Sequence, residues 1–334
     1  MSSNTSSNSE IFYSMKSNLP HSPERMLNIL AFGDPTRSEF RFLWENLREI
    51  NREKLFFEGN LDLWLQTSER TRHFNADFYP DLIFILRSWS GEYSNSQIQT
   101  LRKRFPLTPL LAVLGSWCEG EARNGTPLSG IHSISWFELC AMFPLESFAL
   151  KQNWASIWSL PPETLPEQKI LFEIQREEKQ KNFRFTQKRG SVDDFENLTV
   201  LPLLNIRIES DDFDQFVLLR DFALRTFSST KTVRVFSSWQ NDLWLSTEED
   251  KNNRKKLENT DFIFFDFPDF SQMTIQKFHA IKNRFPTSIF IAFTEFPRAE
   301  EWLFLKKNGV HAMFPKPFRI ADLAFYCCQK TANA

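Results

Sequence analysis

The chain has 334 residues, 41% hydrophobic and 25% charged, with a formal charge of −2. That length suits two domains of ordinary size, and the near-neutral balance argues against a protein that holds nucleic acid or a membrane surface by bulk charge. Four cysteines without the paired spacing of a zinc site, Cys118, Cys140, Cys327 and Cys328, lead us to expect a reducing, cytoplasmic location.

The polar opening MSSNTSSNSE places residues 1–24 as a disordered tail,. The apolar run IFYSM is too short for a signal peptide,. No stretch approaches the ~18 uncharged apolar residues of a membrane span.

From Leu27 the chain reads LNILAFGD, a first strand, followed by DLWLQTSE at Asp62. Leu82–Leu86 and Leu110–Leu114 are apolar runs without alternation, as expected of parallel strands covered on both faces,. Between them Ile98, Leu101 and Phe105 keep helical spacing, and Pro106 stops the helix,. GIHSISW at Gly130 and an apolar helix around LESFAL at Leu145 complete this stretch.

The same order then returns. DLWLSTEE at Asp242, Asp261, and RFP at Arg284 each stand 180 residues after DLWLQTSE, Asp81, and RFP at Arg104. Phe262–Phe265 and Ile289–Phe293 repeat the two apolar runs, and Phe278, Ile281 and Phe285 repeat the helix, again closed by proline at Pro286. LNIRIESD at Leu204 answers LNILAFGD, GVHAMFP at Gly309 answers GIHSISW, and IADLAFYCC from Ile320 is the final helix. The chain is a diverged tandem repeat. Copies are expected over 25–152 and 202–331. A charged, proline-containing linker, 153–201, runs from around SLPPETLPEQ through REEKQKNFRFTQKRG, its first half helical and its remainder solvated rather than a nucleic-acid contact,. Strand–helix alternation implies two flavodoxin-like, doubly wound (βα)5 domains. Each has a five-stranded parallel sheet with helices on both faces and its functional edge at the carboxyl ends of the strands.

In the second copy, DFIFFD ends on Asp266, IFIAFT on Thr294, and NGVHAMFPKPF carries Lys316–Pro317–Phe318. In this order these residues resemble the receiver domain of two-component response regulators. The resemblance covers about 130 residues directly and reaches the first copy only through the repeat. It implies a phosphate-accepting aspartate at Asp266, a hydroxyl at Thr294, a phosphoryl-pairing lysine at Lys316, and Mg²⁺ held by acidic residues with Asp266. The chemistry is consistent: a divalent cation offsets the repulsion between carboxylate and phosphoryl, while ammonium and hydroxyl hold phosphoryl oxygens.

The chain also departs from the family. The acidic pair after the first strand falls on Glu209 and Ser210, with Asp211 and Asp212 beyond, which leaves Glu209, Asp211 and Asp266 as metal candidates. The loop FPDFSQM lacks the usual glycine, and Met313 stands where the family has an aromatic switch residue. In the first copy the alignment sets Leu86, Leu114 and Phe137 opposite Asp266, Thr294 and Lys316, all apolar, so that copy is expected to be a pseudo-receiver with a dry strand edge.

The expectation is a signalling protein, not an enzyme. Its second copy takes phosphate from a histidine kinase, and its output is contact with another signalling protein or between the two copies. The alternative is a non-phosphorylated interaction scaffold. A catalytic Cys118–His132 pair is a distant third, since no third orienting group is evident.

Overall fold

The computed structural model describes residues 25–50, 54–66, 79–118, 120, 125, 127–187, 203–227, 232–237 and 260–333. The expected tail (1–24), the second DLWLSTEE motif and the last part of the linker lie outside these residues. Two compact units divide near Gln180.

The first unit runs β1 (Asn28–Phe32), α1 (Ser38–Ile50), β2 (Lys54–Glu58), α2 (Leu61–Gln66), β3 (Leu82–Arg87), α3 (Asn95–Arg104), β4 (Leu110–Leu114), β5 (His132–Ser135), α4 (Trp136–Lys151) and α5 (Pro166–Gln187). Its strands lie in the order β2-β1-β3-β4-β5, all parallel. That order is the doubly wound, flavodoxin-like one. Every residue of β3 is buried, as a central strand covered on both sides must be. A helix after β4 was expected; among the described residues only the single turn Ser116–Cys118 stands there.

The second unit runs β6 (Leu203–Glu209), α6 (Phe213–Phe227), β7 (Thr232–Ser237), β8 (Phe262–Phe267), α7 (Gln272–Arg284), β9 (Ile289–Glu295), α8 (Ala299–Lys307), β10 (Ala312–Lys316) and α9 (Ile320–Asn333). Its sheet order, β10-β9-β8-β6-β7, is the same winding in the same sequence. Alternate β8 residues serve opposite faces. Phe262 and Phe264 meet Phe227 and Phe222 of α6 at 6.4 and 6.1 Å between ring centroids. Phe265 and Phe267 meet Phe278 of α7 at 5.7 and 5.4 Å. Aromatic pairs of this kind add about 0.5–1.5 kcal/mol each beyond area burial, which is one use for so many phenylalanines.

The duplication extends to single hydrogen bonds. Asp81 accepts the Asn28 backbone N–H at 2.9 Å, and Asp261 accepts that of Asn205 at 2.7 Å. Thr108 donates to the Pro80 carbonyl, and Ser288 donates to that of Thr260. The repeated aspartates therefore satisfy a backbone N–H at the first residue of β1 and at the third of β6, donors that would otherwise be left unpaired,. Phe105 and Phe285 end α3 and α7 alike, at φ −123° and −128°.

Residues 153–176, expected as linker, pack on the first unit. Trp158 meets the Phe143 ring at 6.0 Å. Arg176 of α5 forms a buried ion pair with Glu146 of α4 at 3.1 Å. Glu146 also accepts the Ser156 hydroxyl and the Ile157 N–H. A carboxylate fully out of water demands such partners, and they pin the 156–157 turn and the middle of α5 to α4. Among the described residues no helix is long and apolar enough to cross a membrane.

Candidate functional site at the strand edge of the second unit

Asp266, Thr294 and Lys316 each lie at or one residue before the end of β8, β9 and β10. The parallel register puts Phe267 beside Thr294, and Pro315 beside Thr294 in turn. Three side chains far apart in sequence thus share one edge. Lys316 Nζ donates to Asp266 Oδ1 at 2.9 Å, and Glu295 flanks the ammonium at 3.4 Å. Ser210 Oγ donates to Asp266 Oδ2 at 2.8 Å. The Asp266 side chain is only 2% exposed. Burial lowers the Lys316 pKa, but the hydrogen bond and charge of Asp266, helped by Glu295, outweigh it and set the net value above the ordinary one. Thr294 is buried, and among the described residues its hydroxyl finds no hydrogen-bond partner.

The expected metal ligands do not converge. Glu209 is buried and paired with Arg207 two residues earlier on β6, at 2.5 Å; the Arg207 guanidinium also lies over the Phe285 ring. Asp211 is paired with Lys277 of α7 at 2.8 Å. Asp266 has Lys316. Each of the three carboxylates meets its own cation, and among the described residues no group of three acidic, His or Cys side chains could hold a metal ion. The residues present do not fit Mg²⁺. Met313 is buried in β10.

The signal for Ser210 was its place in the acidic-pair position. Its hydroxyl donates a hydrogen bond to one oxygen of Asp266 where the resemblance would place a second negative charge. Glu295 was not anticipated; it directly follows Thr294, and in a strand the next residue faces the opposite way, yet as the last residue of β9 it still reaches Lys316.

In the first unit, Leu86 occupies the Asp266 position and is fully buried. The alignment by glycines put Phe137 opposite Lys316. The ladders correct this: His132 pairs with Leu111 as Ala312 pairs with Ile291, a constant offset of 180, so the counterpart is Trp136. That edge is out of solvent but not apolar. Arg87, next to Leu86, is fully buried, and Glu39 nearly so. Burial raises the Glu92 pKa against the pull of backbone hydrogen bonds from Ser88 and Trp89 and of the charges on Arg37 and Arg87. Cys118 and His132 stand at opposite ends of the sheet. The thiol lies 3.4 Å from the Arg87 carbonyl, while His132 Nε2 is 2.7 Å from that of Leu160. They form no catalytic pair.

No protein-family profile and no curated protein matches the chain. Solved structures similar to part of it include a putative pilus assembly-related protein of Burkholderia pseudomallei (14% identity, 41% of this chain and 96% of that one, TM-score 0.31). Others are the receiver domain of a DNA-binding response regulator of Colwellia psychrerythraea (18%, 38% and 98%, 0.30) and a response regulator of Thermotoga maritima (14%, 40% and 99%, 0.29). At such identities and scores these likenesses carry no argument about activity. The strand order and the paired registers carry the fold: this chain is two flavodoxin-like, doubly wound α/β domains in tandem,.

Proposed function

We propose that the protein is a cytoplasmic signal-transduction component, not an enzyme, whose two receiver-like units act through protein–protein contact. The second unit works from a standing Asp266–Lys316 pair rather than from Mg²⁺-dependent phosphorylation. One observation supports this above all: the buried carboxylates Asp266 and Glu209 each already meet a cation of the chain itself, while Asp211 pairs with Lys277 at the exposed rim. A phosphoryl donor approaching Asp266 would have to break the lysine pair and the Ser210 bond without a metal to take their place.

The test is incubation of the full chain with acetyl phosphate, with and without Mg²⁺, read by intact mass. An unchanged mass is the expected result. One added phosphate that needs Mg²⁺ and is lost in Asp266→Ala overturns the reading.

A second reading has its own support. The Thr294 hydroxyl is buried at the same edge without a partner among the described residues, and an acyl phosphate on Asp266 would supply an acceptor oxygen. In that reading a histidine kinase is the donor: the Asp266 oxygen attacks phosphorus, the bond to the kinase imidazole breaks, and Lys316 shifts to the phosphoryl. The mass experiment separates the two.

A further inference from the structure

The edge of the first sheet gathers a charge cluster of its own, from residues that do not correspond to those of the second. β3 ends on Arg87, fully buried. Immediately beyond it the Ser88 backbone N–H donates to Glu92 Oε2 at 2.5 Å, and the Trp89 N–H also reaches Glu92. Successive N–H groups converging on one carboxylate make an anion nest. Arg37 and Arg87 both lie in the electrostatic field of that carboxylate. Arg37 in turn stacks on the half-exposed Trp89 ring at 4.8 Å. Glu39 stands over Gly115 at the end of β4 and supplies the second negative charge. The loop that carries Glu92 is closed at its far end by the Ser94–Gln97 capping box of α3.

Tight packing holds the loop from beneath. Gly33 adopts φ +118°, and a β-carbon there would stand 2.8 Å from Leu86 and 3.0 Å from the Tyr93 hydroxyl. Leu86 and the Tyr93 hydroxyl thus crowd the backbone just past β1. The carboxylate that does occupy this edge comes from the loop.

We infer that Glu92 is the resident anion of the first unit: its carboxylate sits in the backbone nest just past β3 and holds the 88–94 loop, with the Trp89–Arg37 stack, in one state that no signal needs to set. This rests on reading the units as receiver-like, but its test is independent of Asp266 chemistry. Glu92 is a positioning residue for the Trp89 surface.

The experiment is amide hydrogen exchange on the full chain, comparing wild type with Glu92→Ala and Glu92→Gln, each in sodium chloride and in sodium acetate of equal ionic strength. We expect residues 88–93 to exchange about tenfold faster or more in Glu92→Ala, the scale of one lost charge-assisted hydrogen bond. Residues 29–31 and 82–85 should be unchanged, and acetate should restore protection in Glu92→Ala while leaving wild type unaffected. Wild-type protection of 88–93 in both variants overturns the inference, and so does absence of acetate rescue in a folded Glu92→Ala. Should Glu92→Ala unfold β1 and β3, Glu92→Gln decides: it keeps an acceptor oxygen but no charge, so faster exchange supports the resident anion and unchanged exchange overturns it. Phosphate on Asp266 would sink the earlier reading and leave this result untouched.

Discussion

Lys316 and Asp266 stand 50 residues apart in sequence and 2.9 Å apart in space. The pair closes the edge of the second sheet with almost no solvent on the carboxylate and little on the ammonium. Truncating one partner of a buried pair leaves the other charge uncompensated, whereas removing both is far milder. Asp266→Ala should therefore cost about 3 kcal/mol, and Asp266→Ala combined with Lys316→Met clearly less than the two single changes summed. Urea denaturation followed through the second-unit transition checks this; additive effects would mean that the two groups do not interact.

The raised Lys316 pKa fixes the sign of its pH dependence. A cation whose folded pKa lies above its unfolded one stabilises fully below the unfolded value, near 10.4, and loses that contribution as pH rises through the folded value. Stability from this pair should be flat across neutral pH and fall only in strong alkali. Lys316→Met should remove that alkaline fall, as measured by melting temperature against pH.

Two histidines work in the opposite direction, one in each unit. Burial holds His132 below the ordinary value despite its Leu160 hydrogen bond, and burial with Lys282 and Lys330 does the same to His311. His311 Nδ1 accepts the Phe290 N–H at 3.0 Å, which requires an unprotonated nitrogen. With the folded pKa depressed, the unfolded chain binds more protons, so stability rises with pH. The full contribution is present above about 6.5 and is lost as pH falls toward the folded values. His311→Gln should flatten the acid slope of the second unit, and His132→Gln that of the first, in calorimetry between neutral pH and pH ~5.

Glu146 and Arg176 tie the middle of α5 to α4. Glu146→Ala should cost about 3–5 kcal/mol and open residues 157–176 to limited proteolysis. Unchanged cleavage would show that α5 is held by its apolar contacts alone.

Gly33 is the backbone counterpart. Its left-handed φ and the missing β-carbon are both required, so Gly33→Ala should destabilise the first unit by about 1–3 kcal/mol, read as a lower denaturation midpoint.

The fold was legible because it is written twice. Unbroken apolar runs at Leu82–Leu86 and Phe262–Phe265 mark buried parallel strands, and the 180-residue offset of Asp81 and Asp261 turns one ambiguous pattern into two consistent ones. Asp266, Thr294 and Lys316 could be placed on one edge because a parallel sheet brings all strand ends to the same side. The metal was not legible. Glu209 and Asp211 look available in the linear order, yet Arg207 meets Glu209 along its own strand and Lys277 reaches Asp211 from a distant helix. Likewise Glu92 and Arg87 read as a loop acid and a strand-end base; only the folded edge brings their charges into range of each other.

The order of apolar and turn residues thus determined the architecture, since burial and backbone period are local properties that a sequence carries openly. Which charges meet across different elements was decided by tertiary structure, because exposed charges are screened within about 10 Å while such partners lie up to 66 residues apart along the chain.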